Sequence, residues 1–519
     1  MSDDDDPTSA DPVVAAWQVL KNRANERPDF WTSVYRSGLE AAFRLGDTTS
    51  GVGLAIFAAV SLEAQGEARA AVVYLDDAIS LFGSNPIARS RLMARRAVFE
   101  ALAGDDSAGQ TLRMARRGIR AFDAETAFDL ETYSAVFSAI QLLPSCIGQA
   151  ERTAASSGLT NQPAMSAGTR PWTITAMHAF GMAERSEIWV TSLGAYAEAA
   201  GDVFRRADVA ALAYATQTRA AFVDPDEEAL DAAPRNTIAR WRVEVTRLYL
   251  NLLRRDRAAA KASIAALQSL AERMNPIWGA GIPCYEAARE AWFEDGAEAV
   301  FPAPPESVSA ITLPAGLAGL NASSQAGSQD DAVLWRRWAD ASLPAHIQSS
   351  LGWPVSIDRL MGLSDIRLGR VERARQRFQR AARWAEAGGY TIERAIALLQ
   401  LAELATLAGL QPTRDRWQVL RRRGRDELSA LGLDPDPLAY QVARALALGR
   451  TSDFSPKLTP REVEVLSLLA RGLTHREVGA NLGISWRTAQ VHAASAYGKL
   501  DASSRIGAIT RARELGLLA

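Results

Sequence analysis

Residues 458–500 read LTPREVEVLSLLARGLTHREVGANLGISWRTAQVHAASAYGKL. Thr459-Pro460-Arg461-Glu462 joins a capping box to a proline at the first helical position, two start signals on one helix. Val463, Leu466, Leu469 and Ala470 then recur at helical spacing, and Gly472 ends the run. Thr474-His475-Arg476-Glu477 is a second capping box, opening a short helix with Val478 and Leu482 on its apolar side. Gly483 takes the turn, Ile484 packs inward, and Ser485 caps a third helix from Trp486 to about Leu500. A fourth helix follows Ser504 and carries Ile506, Ile509 and Leu515. Two short helices meeting at a small residue, Gly479, and joined by a glycine turn form a helix-turn-helix pattern. Such a crossing holds the third helix clear of the body, where it can enter a major groove about 12 Å wide.

In this register the segment resembles the C-terminal DNA-binding domain of LuxR-type (FixJ/NarL-like) bacterial transcription regulators. LTPRE at 458–462, Gly472, Ser485-x-Arg487-Thr488, His492 and the Lys499-Leu500 pair carry the resemblance. It implies that Gln490, Val491 and Ala494 face base edges. Glutamine can pair with adenine, and valine can touch a thymine methyl. It also places Thr474, Ser485, Arg487, Thr488, Lys499 and Arg505 near the sugar-phosphate backbone, with capping an equal role for Thr474 and Ser485 and a plain surface cation the alternative for Lys499 and Arg505; Trp486, unusual at its position, rests against a sugar-phosphate edge or is simply exposed. The fourth helix resembles the dimerisation element, with packing inside one chain as the alternative. Ala489, Ala493 and Ala496 stand where larger aliphatics are usual, so looser packing of the module is expected.

Upstream, 66–79 reads GEARAAVVYLDDAI, with Ala71, Leu75 and Ala78 at fixed offsets from the glycine. At 369–382, GRVERARQRFQRAA repeats those offsets with Ala374, Phe378 and Ala381. Weaker echoes fall at Ala108, Leu112 and Ala115, and at Ala260, Ile264 and Leu267. Small, large, small along one helix face lets a neighbouring helix approach closely. These segments resemble tetratricopeptide-type hairpins, an α-solenoid of degenerate repeats, with an ordinary alanine-rich helical domain as the alternative.

The fold expected is therefore all-α. An acidic, disordered tail (1–12) precedes helical repeats (13–301), a Pro/Ser/Gly/Ala-rich linker or long loop (302–331), further repeats (332–433), a second linker (434–456) and the helix-turn-helix domain (457–519). Thr153 to Arg170 is read as an exposed loop or a ligand-facing segment.

Composition bounds the rest. The 519 residues are 48% hydrophobic and 23% charged, enough for a large core. Cys146 and Cys284 are the only cysteines, which excludes a disulfide scaffold or a multi-cysteine metal site. No apolar run is long enough for a membrane span, so a cytoplasmic protein is expected. From Lys457 onward nine Lys/Arg face five Asp/Glu, whereas the remainder carries 49 basic against 55 acidic residues. A basic module on an acidic body suits a nucleic-acid binder with a separate partner domain. No P-loop occurs, Gly51-Val52-Gly53 lacks a dinucleotide-site context, and His178 and His346 stand alone. An enzyme and a cofactor are accordingly not expected. The reading is a sequence-specific DNA-binding transcription regulator, an activator, whose body receives a peptide, protein or small-molecule effector. Duplex DNA, RNA polymerase and a second copy of the chain are its expected partners. The alternative is an interaction adaptor whose helix-turn-helix is secondary.

Overall fold

The computed structural model describes residues 11–23, 31–117, 123–156, 163–293, 301–410, 414–450, 458–500, 502, 505–514 and 517–518. Among these residues every regular element is an α-helix. Helices pack on the next helix in the chain and on the next but one, as stacked helical hairpins do. The four small-large-small faces all turn inward. Ala71, Leu75 and Ala78, and likewise Ala374, Phe378 and Ala381, are completely buried. Ala108, Ala115, Ala260, Ile264 and Leu267 are buried as well, and Leu112 is half-buried.

At several helix pairs an aromatic ring of one helix meets a glycine on the preceding helix. In helix Ile357–Arg367, a Cβ on Gly362 would lie 2.7 Å from the Phe378 ring. A Cβ on Gly51 would strike Phe82, and one on Gly316 would come within 2.6 Å of Trp338. Gly319 faces Trp335 in the same way. A missing side chain on one helix thus receives an aromatic ring from the next, and the axes close to contact.

Large parts of two expected linkers are helices instead, although 302–312 is irregular as expected. Residues 302–331 contain helix Leu313–Gln325, every residue of which is buried. Its glycines signal neither a turn nor flexibility; Gly316 and Gly319 are the sockets for Trp338 and Trp335. Pro314 sits in its first turn, where a missing N–H costs nothing, and Ser328 with Asp331 forms the capping box of the next helix. Residues 434–450 begin with an Asp-Pro start and form helix Pro435–Arg450, packed on the body through Leu438, Val442 and Ala445. Gln400 Nε2 donates to the Leu438 carbonyl at 3.1 Å and to Gln441 Oε1 at 2.9 Å, so the segment is anchored. Of the second expected linker, 451–456 lies outside the described residues, as does 1–10 of the acidic tail. Asp11 instead accepts from Val13 N at the start of a helix. The Thr153–Arg170 segment divides between two helices, Ser145–Ser156 and Pro163–Ala179, with 157–162 outside the described residues.

Long-range polar contacts fold the first half back on itself. Asn275 Nδ2 donates to the Gly66 carbonyl at 2.7 Å, and Asn275 Oδ1 accepts from Arg69 N at 3.2 Å. Thr237 and Arg235 bond to Ala64 and Gln65 beside that turn. Helix Thr237–Leu253 is thereby held against helix Thr48–Ala64, more than 170 residues earlier in the chain. Among the described residues no helix is long and apolar enough to cross a membrane.

Gly362→Ala tests the socket. At an open helical site this change stabilises by about 1 kcal/mol. Here the new methyl meets Phe378, so urea unfolding should show a loss of roughly 1–3 kcal/mol. Phe378→Leu should be less damaging in the Gly362→Ala background than alone, because the two side chains occupy one space.

Candidate nucleic-acid interface

The C-terminal module has its own core. Val465, Leu469, Val478, Ala489 and Ala493 pack together, and Leu466, Ala496, Leu500, Ala508 and Ala512 form a second layer. Its helices are Pro460–Ala470, His475–Leu482, Trp486–Lys499 and Arg505–Glu514. The first and third each pack on the other three, and among the described residues none packs extensively on an earlier helix.

Both expected capping boxes form. Thr459 N donates to Glu462 Oε2 at 2.7 Å while Glu462 N donates to Thr459 Oγ1 at 3.3 Å. Thr474 and Glu477 repeat this, with the Thr474 N to Glu477 Oε2 bond at 2.7 Å. These bonds draw the Glu477 carboxyl below the usual range. The apolar stripe of the first helix differs from the expected one: Val465 replaces Val463, and Val463 and Ala470 are only half-buried. The fourth place in the buried row belongs to Glu462 itself. Its Oε1 accepts from Ser495 Oγ at 2.7 Å and its Oε2 from Lys499 Nζ at 2.7 Å. Burial would raise this carboxyl, but the bonds from Lys499, Ser495 and Thr459 outweigh it and hold it at about 2. One buried carboxylate therefore caps the first helix and clamps the end of the third onto it.

The crossing of the second and third helices is as tight as its residues allow. A Cβ on Gly479 would lie 2.8 Å from the Ile484 carbonyl oxygen and 3.1 Å from Trp486 N. Gly483 ends the second helix at φ 64°, in the left-handed region. Ser485 Oγ accepts from Thr488 N at 3.0 Å, capping the third helix, and lies 2.7 Å from Thr488 Oγ1. Ala489, Ala493 and Ala496 are each at most 1% exposed. In place of the looser packing expected from these alanines, the third helix presses directly onto the first and second.

Turning that face inward presents the other to solvent. Trp486, Arg487, Thr488, Gln490, Val491 and Ala494 are all exposed, Val491 at 63% and Trp486 at 53%. Gln490, Val491 and Ala494 share one helical face, and Arg487 stacks over the Trp486 ring one turn before them. The expected backbone residues split into two groups. Thr474 and Ser485 cap helices at the exposed rim, and Thr488 bonds to the Ser485 cap through both its N–H and its hydroxyl. Lys499 and Arg505 are engaged inside the module, Lys499 on Glu462 and Arg505 donating to the Leu469 carbonyl. Two exposed cations not singled out from the sequence, Arg471 and Arg476, have no ion-pair partner among the described residues. Their position in the turn before the second helix and in its first turn was the available signal. On the fourth helix Ile506 is 79% exposed and Ile509 half-buried; Leu515 lies outside the described residues.

The isolated histidines are structural. His178 is fully buried, its Nε2 2.9 Å from Thr216 Oγ1 and 3.1 Å from Ser186 Oγ, and burial lowers it to about 3. His346 Nε2 lies 3.2 Å from the Leu142 carbonyl. Among the described residues no group of three or more His, Cys, Asp or Glu could hold a metal ion.

Comparison with known proteins covers the module. The family described as "Bacterial regulatory proteins, luxR family" matches residues 456–512. The chain is similar to the HTH-type quorum sensing-dependent transcriptional regulator RpaR of Rhodopseudomonas palustris, 37% identical over 107 residues, 18% of this chain and 44% of the relative. It is 47% identical over 60 residues to the transcriptional activator protein CarR of Pectobacterium carotovorum, 12% of this chain and 25% of the relative. It is 42% identical over 62 residues to the transcriptional regulatory protein YdfI of Bacillus subtilis, 12% and 29%. The chain spans less than half the length of these relatives, and no solved structure matches it.

Because Glu462 is charged when folded and would titrate near 4.3 when unfolded, its contribution is present above that pH and is lost as pH falls toward 2. Glu462→Gln in a fragment spanning the module should lower its unfolding free energy by on the order of 2–3 kcal/mol at neutral pH. The difference between the two proteins should shrink between pH 5 and pH 2. Thermal melts across that range read both effects.

Proposed function

We propose that this chain, whose C-terminal module is a LuxR-family helix-turn-helix domain, is a sequence-specific DNA-binding transcriptional activator controlled through its helical body. The observation that carries the reading is the third module helix: alanines bury one side of it, and the other side stands clear with Gln490, Val491 and Ala494 outward. Seated in a major groove, that side puts a bidentate amide and an isopropyl group at base edges. Arg487, Thr488, Thr474 and Ser485 then lie along the phosphates, where hydroxyls, guanidinium and helix N-termini bind without reading sequence. Trp486, beside Arg487, rests against a sugar-phosphate edge. Lys499 keeps 39% of its side-chain surface open beside Glu462 and adds positive field; Arg505 supports the fold that presents the reading helix.

Exposed Ile506 on the fourth helix is the seed of a two-fold contact between copies, which would read half-sites about one helical turn apart. The repeat-like body, of the tetratricopeptide type, is the receiver of a signal, and RNA polymerase is the partner of the DNA-bound state. Anchoring of 435–450 to the body leaves the short stretch after Arg450 as the place where the two parts are joined.

Gln490→Ala should relax preference at one operator position by about 1–3 kcal/mol while leaving overall duplex affinity similar. Arg487→Ala should weaken all sequences alike and reduce the salt dependence of binding by about one counterion. Genomic footprinting followed by anisotropy titrations at several salt concentrations reads both. Target choice unchanged by Gln490→Ala, or no specific protection by the full chain, would favour the adaptor role instead.

A further inference from the structure

The closure of the first half onto itself leaves a cleft with a volume of about 280 Å³, open to solvent on one side, between helices Thr48–Ala64, Pro163–Ala179, Val203–Gln217 and Thr237–Leu253. One part of its wall is apolar, from Phe57, Val60, Phe204 and Ile238. The other part is charged, and its bonds can be followed atom by atom.

Glu63 is satisfied on both oxygens. Oε2 accepts from Arg95 Nη2 at 2.6 Å and Oε1 from Trp172 Nε1 at 3.0 Å. Asp208 is also satisfied, Oδ2 by Arg205 Nη1 at 2.8 Å and Oδ1 by Asn236 Nδ2 at 3.2 Å. Asp202 caps its helix by accepting from Arg205 N. The carboxylates are thus occupied by groups of the protein. Arg242 is not. Its guanidinium lies over the Trp172 ring, 5.0 Å from the centroid, and its Nη1 comes no closer than 3.6 Å to Asp208. Its Nη2 is buried without an acceptor, and the residue is only 8% exposed. Burial pushes this guanidinium below the ordinary arginine range; Asp208 and Glu63 oppose that, and Arg205 adds to it. A buried cation with an unfilled donor is costly, and the missing complement is an anionic acceptor.

We infer that this cavity is a binding site for a small organic carboxylate with an apolar body, its carboxylate on Arg242 and its hydrocarbon against Phe57, Val60, Phe204 and Ile238. The volume, near the lower limit of ligand pockets, admits a single small molecule and excludes a folded partner or a peptide helix. The site deepens the regulator reading by giving the body's signal a chemical class, and it rests on that reading only for its regulatory meaning. Its occupant ties together helices more than 170 residues apart in the chain, so binding stabilises the closed first half.

The test uses the full chain and two separate readouts. Calorimetric titrations and thermal melts are run with butanoate through octanoate, phenylacetate, and the neutral isostere phenylacetamide. Saturable binding and a concentration-dependent rise in melting temperature are expected for at least one carboxylate, with phenylacetamide at least tenfold weaker than phenylacetate. Arg242→Gln should lose the response. So should Val60→Trp, which fills the apolar end and leaves every charge in place, with the helical circular-dichroism signal retained. A flat response to every carboxylate, equal binding of amide and acid, or an undiminished response in Arg242→Gln overturns the inference. Anisotropy with duplex DNA is measured on the same preparations. Carboxylate binding without DNA binding leaves the cavity assignment standing and removes the regulator reading; the reverse outcome removes only the cavity assignment.

Discussion

Close approach of helices, made possible by residues with little or no side chain, is the constraint on which this molecule depends. Gly362 under Phe378, Gly51 under Phe82 and Gly316 under Trp338 set hairpin after hairpin at contact distance. The alanine faces of the following helices continue the seam. Dispersion between surfaces this close is summed over many atoms, and no single side chain has to span a gap. The module follows the same rule on a smaller scale, where Gly479, Ala489, Ala493 and Ala496 seat the third helix on the first two.

That seating determines what the module can offer to a partner. The Glu462 carboxylate gathers Thr459, Ser495 and Lys499 at one end, and the Ser485 cap fixes the other. With both ends held and one face of alanines pressed inward, the opposite face is rigid and open. A rigid helix face presenting an amide and an aliphatic group can read duplex DNA without first paying an ordering cost. In the body, Glu63 and Asp208 at the cavity are bonded on both oxygens, whereas Arg242 keeps a buried Nη2 without an acceptor and only a long contact to Asp208, and that sets the site's chemical preference.

Much of the module was legible because its signals are local. Caps, the first-turn proline and glycine turns act over three or four residues, and a family resemblance adds register across them. The burial of Glu462 was not legible, because an acid in a capping box ordinarily faces water. Only the arrival of Lys499 and Ser495 from more than thirty residues away makes burial favourable. The alanine-rich third helix was misleading in the same sense. A small residue reads as missing volume until the neighbouring helix is seen to have moved in.

By itself, the sequence determined that the chain is helical and where the helix-turn-helix lies, since both follow from periodicity and short-range capping; the side chains expected on its outward face came from the family resemblance. Only the tertiary structure decided that 313–325 and 435–450 are packed helices and not linkers, because glycine and alanine acquire their meaning from the aromatic ring or backbone opposite them. It alone decided that Glu63, Trp172, Asp208 and Arg242, spread over 180 residues, line one cleft. Charge pairing across that distance is a property of the fold's closure, and no window of sequence contains it.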